Sequence, residues 1–195
     1  MRQLIETIEG KIWSVIDNRA FEHDGCVVDI GCLHWDWSRS LFGRKRVIGV
    51  DPFEDVVPDN VELFKGLVGP FDAKVSLSRY LDASSVAISS MVAENPNESQ
   101  ECEFAMLSWK NFCKNNGIDR ISVLKINIEG GEYPLLHSMD SEDFEKIDQI
   151  VVSFHHWIDH RWLTLTKSSL GMLEELGFEI IQTHREFGWY LCVKK

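Results

Sequence analysis

Residues 121–139, I-S-V-L-K-I-N-I-E-G-G-E-Y-P-L-L-H-S-M, constrain this chain more than any other stretch. Ile121, Val123, Leu124, Ile126 and Ile128 form a near-continuous apolar run, as in a strand buried on both faces. The character then changes abruptly. Asn127, Glu129 and Glu132 surround Gly130-Gly131, and a helix-like segment follows. Sheets covered on both faces bind their ligands just beyond the carboxyl ends of the strands. Polar groups at a strand-to-glycine-to-helix junction are therefore where chemistry is expected.

The rest of the chain repeats this alternation. Residues 25–30, 46–50, 61–66 and 149–154 read as further strands, and 74–78 and 101–106 alternate like more exposed ones. Leu4, Ile5, Ile8, Ile12, Val15 and Ile16 recur at helical spacing, which predicts an amphipathic helix over 3–18. Short helices are predicted over 37–42 and from an N-cap at Ser108 to Asn116, and a longer one over 163–176. Residues 178–183 and 189–193 read as a closing hairpin. The Ser-, Asn- and Glu-rich stretch 82–100 reads as a mobile or binding loop. The sum is an α/β fold, with a mostly parallel central sheet, a C-terminal antiparallel hairpin and helices on both faces. One domain is expected over 1–195, comprising an N-terminal helix within 1–20 and a core over 25–195.

Charge narrows the function classes. A formal net charge of −11 disfavours non-specific binding to nucleic acid or to anionic membrane. No apolar run reaches the roughly 18 residues of a membrane span, and the acidic N-terminal stretch does not read as a signal peptide. Five scattered cysteines without C-x-x-C spacing suggest reduced thiols and a cytoplasmic location.

A second candidate site lies at V-V-D-I-G-C-L-H-W-D-W-S, residues 27–38. A strand enters a turn at Gly31, and Asp51 ends the next strand 20 residues later. A tight glycine turn followed by such an acid suits a nucleoside, whose ribose hydroxyls donate to the carboxylate. Leu33 and Asp36 stand where a dinucleotide fingerprint needs glycine, which disfavours a pyrophosphate site. Asp29, inside an apolar strand, requires a partner. The plainer reading, in which Gly31 is a turn and Asp51-Pro52 a strand terminator, stays open.

These motifs, in this order, resemble those of FkbM-type S-adenosylmethionine-dependent methyltransferases, over about residues 25–185. V-V-D-I-G-C-L-H-W-D-W-S resembles D-[IV]-G-A-N-x-G-x-x-[ST], V-I-G-V-D-P-F-E the second-strand motif, and L-K-I-N-I-E-G-G-E the signature L-K-I-D-x-E-G-x-E. V-E-L-F-K-G-L-V-G-P-F-D-A-K-V-S-L resembles the adenine-binding segment with its hairpin, and I-V-V-S-F-H-H a later Glu-x-His strand. The resemblance implies a class I Rossmann-like fold with S-adenosyl-L-methionine as cofactor. It places the cofactor at Asp29, Gly31, Cys32, Leu33, His34, Trp35, Ser38, Asp51, Pro52, Phe53, Leu67, Val68 and Asn127. Four departures stand out. Leu33 replaces Asn, Trp35 replaces the second Gly, Asn127 replaces Asp and Ser153 replaces Glu. A Trp at position 35 would cap the cofactor site, obstruct it, or stack there in a rearranged loop.

The resemblance also implies an O-methyltransferase acting on a hydroxyl of a sugar or glycan. His155 is the first choice of base, with His156 and Glu129 beside it. A hydrogen-bonded structural cluster, and a helix-capping role for Glu129, are the plainer alternatives. Ser84, Ser85, Ser89 and Ser90 and the tryptophans Trp35, Trp37, Trp157 and Trp162 suit a glycan acceptor, though core or rim packing accounts for most of these tryptophans. Glu129, His155, His156, Asp159 and His160 are ligand types for a divalent metal, but their spacing matches no recognised motif and none is predicted. A methyltransferase-fold binding module without transfer activity is the competing reading. N-methylation is a third, and association with a glycosyltransferase is an open expectation.

Overall fold

The computed structural model describes residues 4–6, 15–80, 86–87, 99–157, 159–185 and 188–195. Thirteen strands run in chain order: β1 Leu4–Glu6, β2 Val15–Asp17, β3 Cys26–Ile30, β4 Val47–Val50, β5 Val61–Phe64, β6 Leu67–Gly69, β7 Ala73–Tyr80, β8 Val86–Ala87, β9 Ser99–Ser108, β10 Ile121–Ile126, β11 Gln149–Ser153, β12 Phe178–His184 and β13 Trp189–Lys194. Among the described residues four α-helices accompany them: α1 Trp109–Asn115, α2 Glu132–Ser138, α3 Ser141–Glu145 and α4 Leu163–Glu175.

A seven-stranded sheet of order β12-β13-β11-β10-β3-β4-β5 forms the centre. Pairing is parallel from β5 through β4, β3 and β10 to β11, while β13 runs antiparallel to both β11 and β12. Every residue of β3, β4, β10 and β11 is buried, which explains their unbroken apolar character. β6, β9, β7 and β8 make a second, four-stranded sheet built on the long β7–β9 antiparallel pair.

The two faces of the central sheet are covered differently. One packs against all four α-helices, through Trp109, Phe112, Tyr133, Leu136, Phe144 and Leu173. The other is covered by β2 and by 3-10 turns, through Ile16, Ala20, Trp35 and Leu41. The expectation of helices on both faces is corrected to that extent among the described residues. The connections from β3 to β4 and from β4 to β5 carry no α-helix, and Trp35 and Trp37 supply the bulk that a helix would.

The N-terminal helix predicted over 3–18 is also corrected. Its described parts are strands, with β1 and β2 paired antiparallel from Leu4 opposite Asp17 to Glu6 opposite Val15. Val15 and Ile16 are β-branched and fit a buried strand better than a helix. β2 is tied to the sheet by a reciprocal pair of bonds. The Asp17 N–H donates to Gln149 Oε1 at 2.9 Å, and Gln149 Nε2 donates to the Asp17 carbonyl at 2.8 Å. The serine-rich stretch 84–90 lies almost wholly outside the described residues.

Candidate active site

The parallel strands β4, β3, β10 and β11 end side by side, and their carboxyl ends gather most of the residues singled out from sequence. At the end of β3, Gly31 turns the chain with φ 83°. A Cβ there would lie 2.0 Å from the carbonyl oxygen of Asn127, so only glycine allows β3 and β10 to end so close together. Asp29 and Lys125 face each other across these strands in register, and Lys125 Nζ lies 2.9 Å from Asp29 Oδ1 with both side chains buried. The same ammonium donates to the Gly31 carbonyl at 2.5 Å. The buried acid thus finds its partner within the protein, and the pair braces the turn.

Asp51 ends β4. Its Oδ2 accepts the Leu33 N–H at 3.2 Å, and its Oδ1 accepts the Phe53 N–H at 2.8 Å. Burial raises its pKa, against the lowering effect of these donors and of Lys125. Glu54, absent from the sequence prediction, repeats the device. It accepts His34 N–H at 2.5 Å and Val56 N–H at 2.8 Å, so two acids tie the β3 and β4 loops together. An acid three residues after Asp51 was the available signal. Pro52 and Phe53 are buried, and Phe53 packs edge-on against Phe104. Val68 is buried and Leu67 half-buried, both in β6 of the second sheet.

Trp35 has φ 58° and His34 φ 64°. The left-handed backbone that a glycine would favour is thus kept at position 35, at a cost of roughly 1–2 kcal/mol. The indole is buried beneath the sheet, where a Cβ on Gly49 would lie 2.4 Å from its Cη2. Its Nε1 donates to the Val56 carbonyl at 2.6 Å. Trp35 therefore presents no face to a ligand. Cys32 is buried beside it, with its thiol pushed far up by burial, and Ser38 is fully buried. His34 is exposed and Leu33 and Asn127 are half-buried.

At the ends of β10 and β11, His155 is buried between two carboxylates. Its Nδ1 lies 2.8 Å from Glu132 Oε1, and its Nε2 lies 3.5 Å from Glu129 Oε2. Burial alone would lower its pKa, but the two acids outweigh it and push it up to about 10. At neutral pH His155 is an imidazolium with no lone pair to take a proton. Glu132, fully buried, also accepts the N–H groups of Ile128 at 2.7 Å and Gly130 at 2.9 Å, and so shapes the turn that carries Glu129. Glu129 itself has φ 52° and a side chain 28% exposed. It is the member of the cluster that a solute can reach.

His156 points elsewhere. Its Nδ1 lies 3.3 Å from Thr166 Oγ1, itself bonded to Tyr133 and to the Trp162 carbonyl. Burial and the neighbouring charges of His155 and His160 lower its pKa, which keeps it neutral. Trp157, 44% exposed, has its ring 5.6 Å from that of His155. Asp159 is engaged with Arg161. Among the described residues no group of three or more His, Cys, Asp or Glu side chains is placed to hold a metal ion.

The FkbM methyltransferase domain matches residues 29–180, most of the chain and all of the strand ends just described. The chain belongs to the FkbM methyltransferase family. No curated protein and no solved structure matches it. Membership places the Asp29–Gly31 turn, the Asp51 strand end and the Glu129–His155 cluster within one methyltransferase domain.

Proposed function

We propose that this FkbM-family methyltransferase uses S-adenosyl-L-methionine to methylate a hydroxyl of a sugar or glycan. The observation that carries the O-directed reading is the partly exposed Glu129 carboxylate, held against the buried His155 imidazolium at the sheet's carboxyl edge. The sheet order, with β13 alone reversed, supports the class I Rossmann-like arrangement. Five free cysteines, and the lack of any described helix long and apolar enough to cross a membrane, are compatible with the cytoplasmic location we propose.

The strand ends fit the nucleoside part of that cofactor. Each Asp51 oxygen carries one backbone donor, which leaves acceptor capacity for ribose hydroxyls. Gly31, Asp51 and Phe53 would hold it. When bound, the cofactor supplies an electrophilic methyl group on a sulfonium. The protein's part is to hold the acceptor hydroxyl in line with it, which supplies several kcal/mol by proximity. Glu129 accepts the hydroxyl's hydrogen bond and takes its proton as the oxygen is methylated, an effect worth roughly 10²–10⁴-fold. His155 orients Glu129, and Glu132 holds His155. This moves the base from His155, the choice made from sequence, to Glu129. Trp157 offers the acceptor a flat apolar face at the rim.

One observation favours the second reading, a binding module without transfer activity. Every backbone N–H from Gly31 to Trp35 is already bonded within the protein, to Val50, Asp51, Glu54 and Cys32. No backbone donor from Gly31 to Trp35 is left for the methionine part of the cofactor. Calorimetry with S-adenosylmethionine, S-adenosylhomocysteine and adenosine separates the two. The enzyme reading expects the first two to bind at least tenfold more tightly than adenosine, with labelled methyl passing from S-adenosylmethionine to a glycan. Equal weak binding of all three, with no transfer across a glycan panel, would leave the module.

A further inference from the structure

A cavity lies at the opposite end of the sheet from Glu129. It is a groove of about 580 Å³ where β3, β4 and β10 begin. β10 has six residues, so ~20 Å separate this groove from the candidate active site. Arg44, Lys45, Arg46 and Arg120 line it, against the acids Asp24 and Asp119. With Glu62 and Asp148 holding Arg46 and Arg120, the groove is close to charge balance in a chain whose net charge is −11.

These cations fall into two kinds. Arg46 is committed, because it grips both oxygens of Glu62 and the carbonyls of Asn116 and Gly117. Arg120 is held by Asp148 through Nε and Nη2, which leaves Nη1. They form rigid walls. Arg44 has no carboxylate partner among the described residues, and its guanidinium lies 3.8 Å over the Phe21 ring. Lys45 donates to the His23 carbonyl, which uses one of its three protons.

We propose that this groove is a second binding site, for a phosphorylated small molecule. Its volume falls within the roughly 300–1,000 Å³ of small-molecule sites. Arginine forks match phosphate oxygens in pairs. The Arg44–Phe21 stack adds a flat wall suited to a planar ring such as a nucleobase. The groove shares no side chain with the strand-end site, so the proposal stands apart from the methyl-transfer reading.

The test is calorimetric titration of the full chain with pyrophosphate and with ADP at 50 and 200 mM salt. Wild type, Arg44→Glu, Lys45→Gln and a charge-reversed control on the exposed face of α4, Lys167→Glu, are compared. Unchanged thermal unfolding without ligand checks each fold, and Lys45→Gln serves if Arg44→Glu fails to fold. The expected result is saturable binding that weakens with salt and falls about tenfold or more in both groove variants but not in the control. Tighter binding of ADP than of pyrophosphate would assign the Arg44–Phe21 wall to a base. Absence of saturable binding, or equal weakening in Lys167→Glu, overturns the site.

Discussion

His155 is the most heavily constrained ionisable group of the site, and its proton ties stability to pH. An unfolded histidine holds its proton only below about pH 6.5, whereas here the two acids keep it to about 10. The cluster therefore contributes its full stabilisation below about pH 6.5 and loses it as pH rises through about 10. Urea unfolding from pH 7 to 10.5 should show wild type losing stability at the alkaline end. His155→Gln should be less stable at pH 7 and lose less across that window, its remaining slope coming from buried thiols such as Cys32 whose pKa burial raises. Parallel curves for the two proteins would mean that His155 carries no charge when folded. The neighbouring acids separate by role. Glu129→Gln should lower kcat by roughly 10²–10⁴-fold with a smaller loss of thermal stability than Glu132→Gln, because its side chain is partly exposed. Glu132→Gln should instead cost about 3–5 kcal/mol of stability, as breaking a buried pair does. If the two variants exchanged these effects, Glu132 would be the group that meets the acceptor.

The β3–β4 loops show what one residue does to an element. Trp35 keeps a glycine's backbone and adds a buried indole that occupies the space over Gly49. Gly49→Ala should destabilise by about 1–3 kcal/mol through overpacking, and Trp35→Leu in the same chain should recover part of that loss. Denaturant unfolding of both single variants and the double variant measures the coupling, and strict additivity would show that the two positions do not touch. The same elements mark the limit of what is legible in sequence. The strands β3, β4, β10 and β11 are readable because burial on both faces leaves a continuous apolar run. The meeting of Glu129 and His155 follows once those strands are set side by side. Residues 3–18 read as a helix because apolar residues at positions such as 4, 5, 15 and 16 suit helix and strand alike, and partners far away in the chain, such as Gln149, decide. The roles of Glu132 and Glu54 stayed hidden because an acid that accepts backbone N–H groups looks in sequence like any solvated acid. Lys125 did carry a signal, a cation within a buried run, and Asp29 opposite it in register is the answer.

Across the whole molecule, the two faces of the central sheet should differ in how readily they open. One is held by α1 to α4, and the other by β2 and single 3-10 turns. Local opening follows the amount of apolar contact and regular hydrogen bonding over each region. Amides of β10 and β3, at the centre of the sheet, should exchange only on global unfolding. Those of β2 and of residues 31–42 should exchange through a cheaper, local opening. The loops of the candidate cofactor site belong to this thinner face, since Leu33 and His34 are tied to Asp51 and Glu54. A ligand bound there must therefore stabilise the thinner face more than the helical one. Hydrogen exchange with and without S-adenosylhomocysteine should show protection rising chiefly over residues 31–35 and 51–56, with α4 unchanged. Equal protection on both faces without ligand would refute the difference in opening. A rise confined to α4 would move the cofactor away from Asp51.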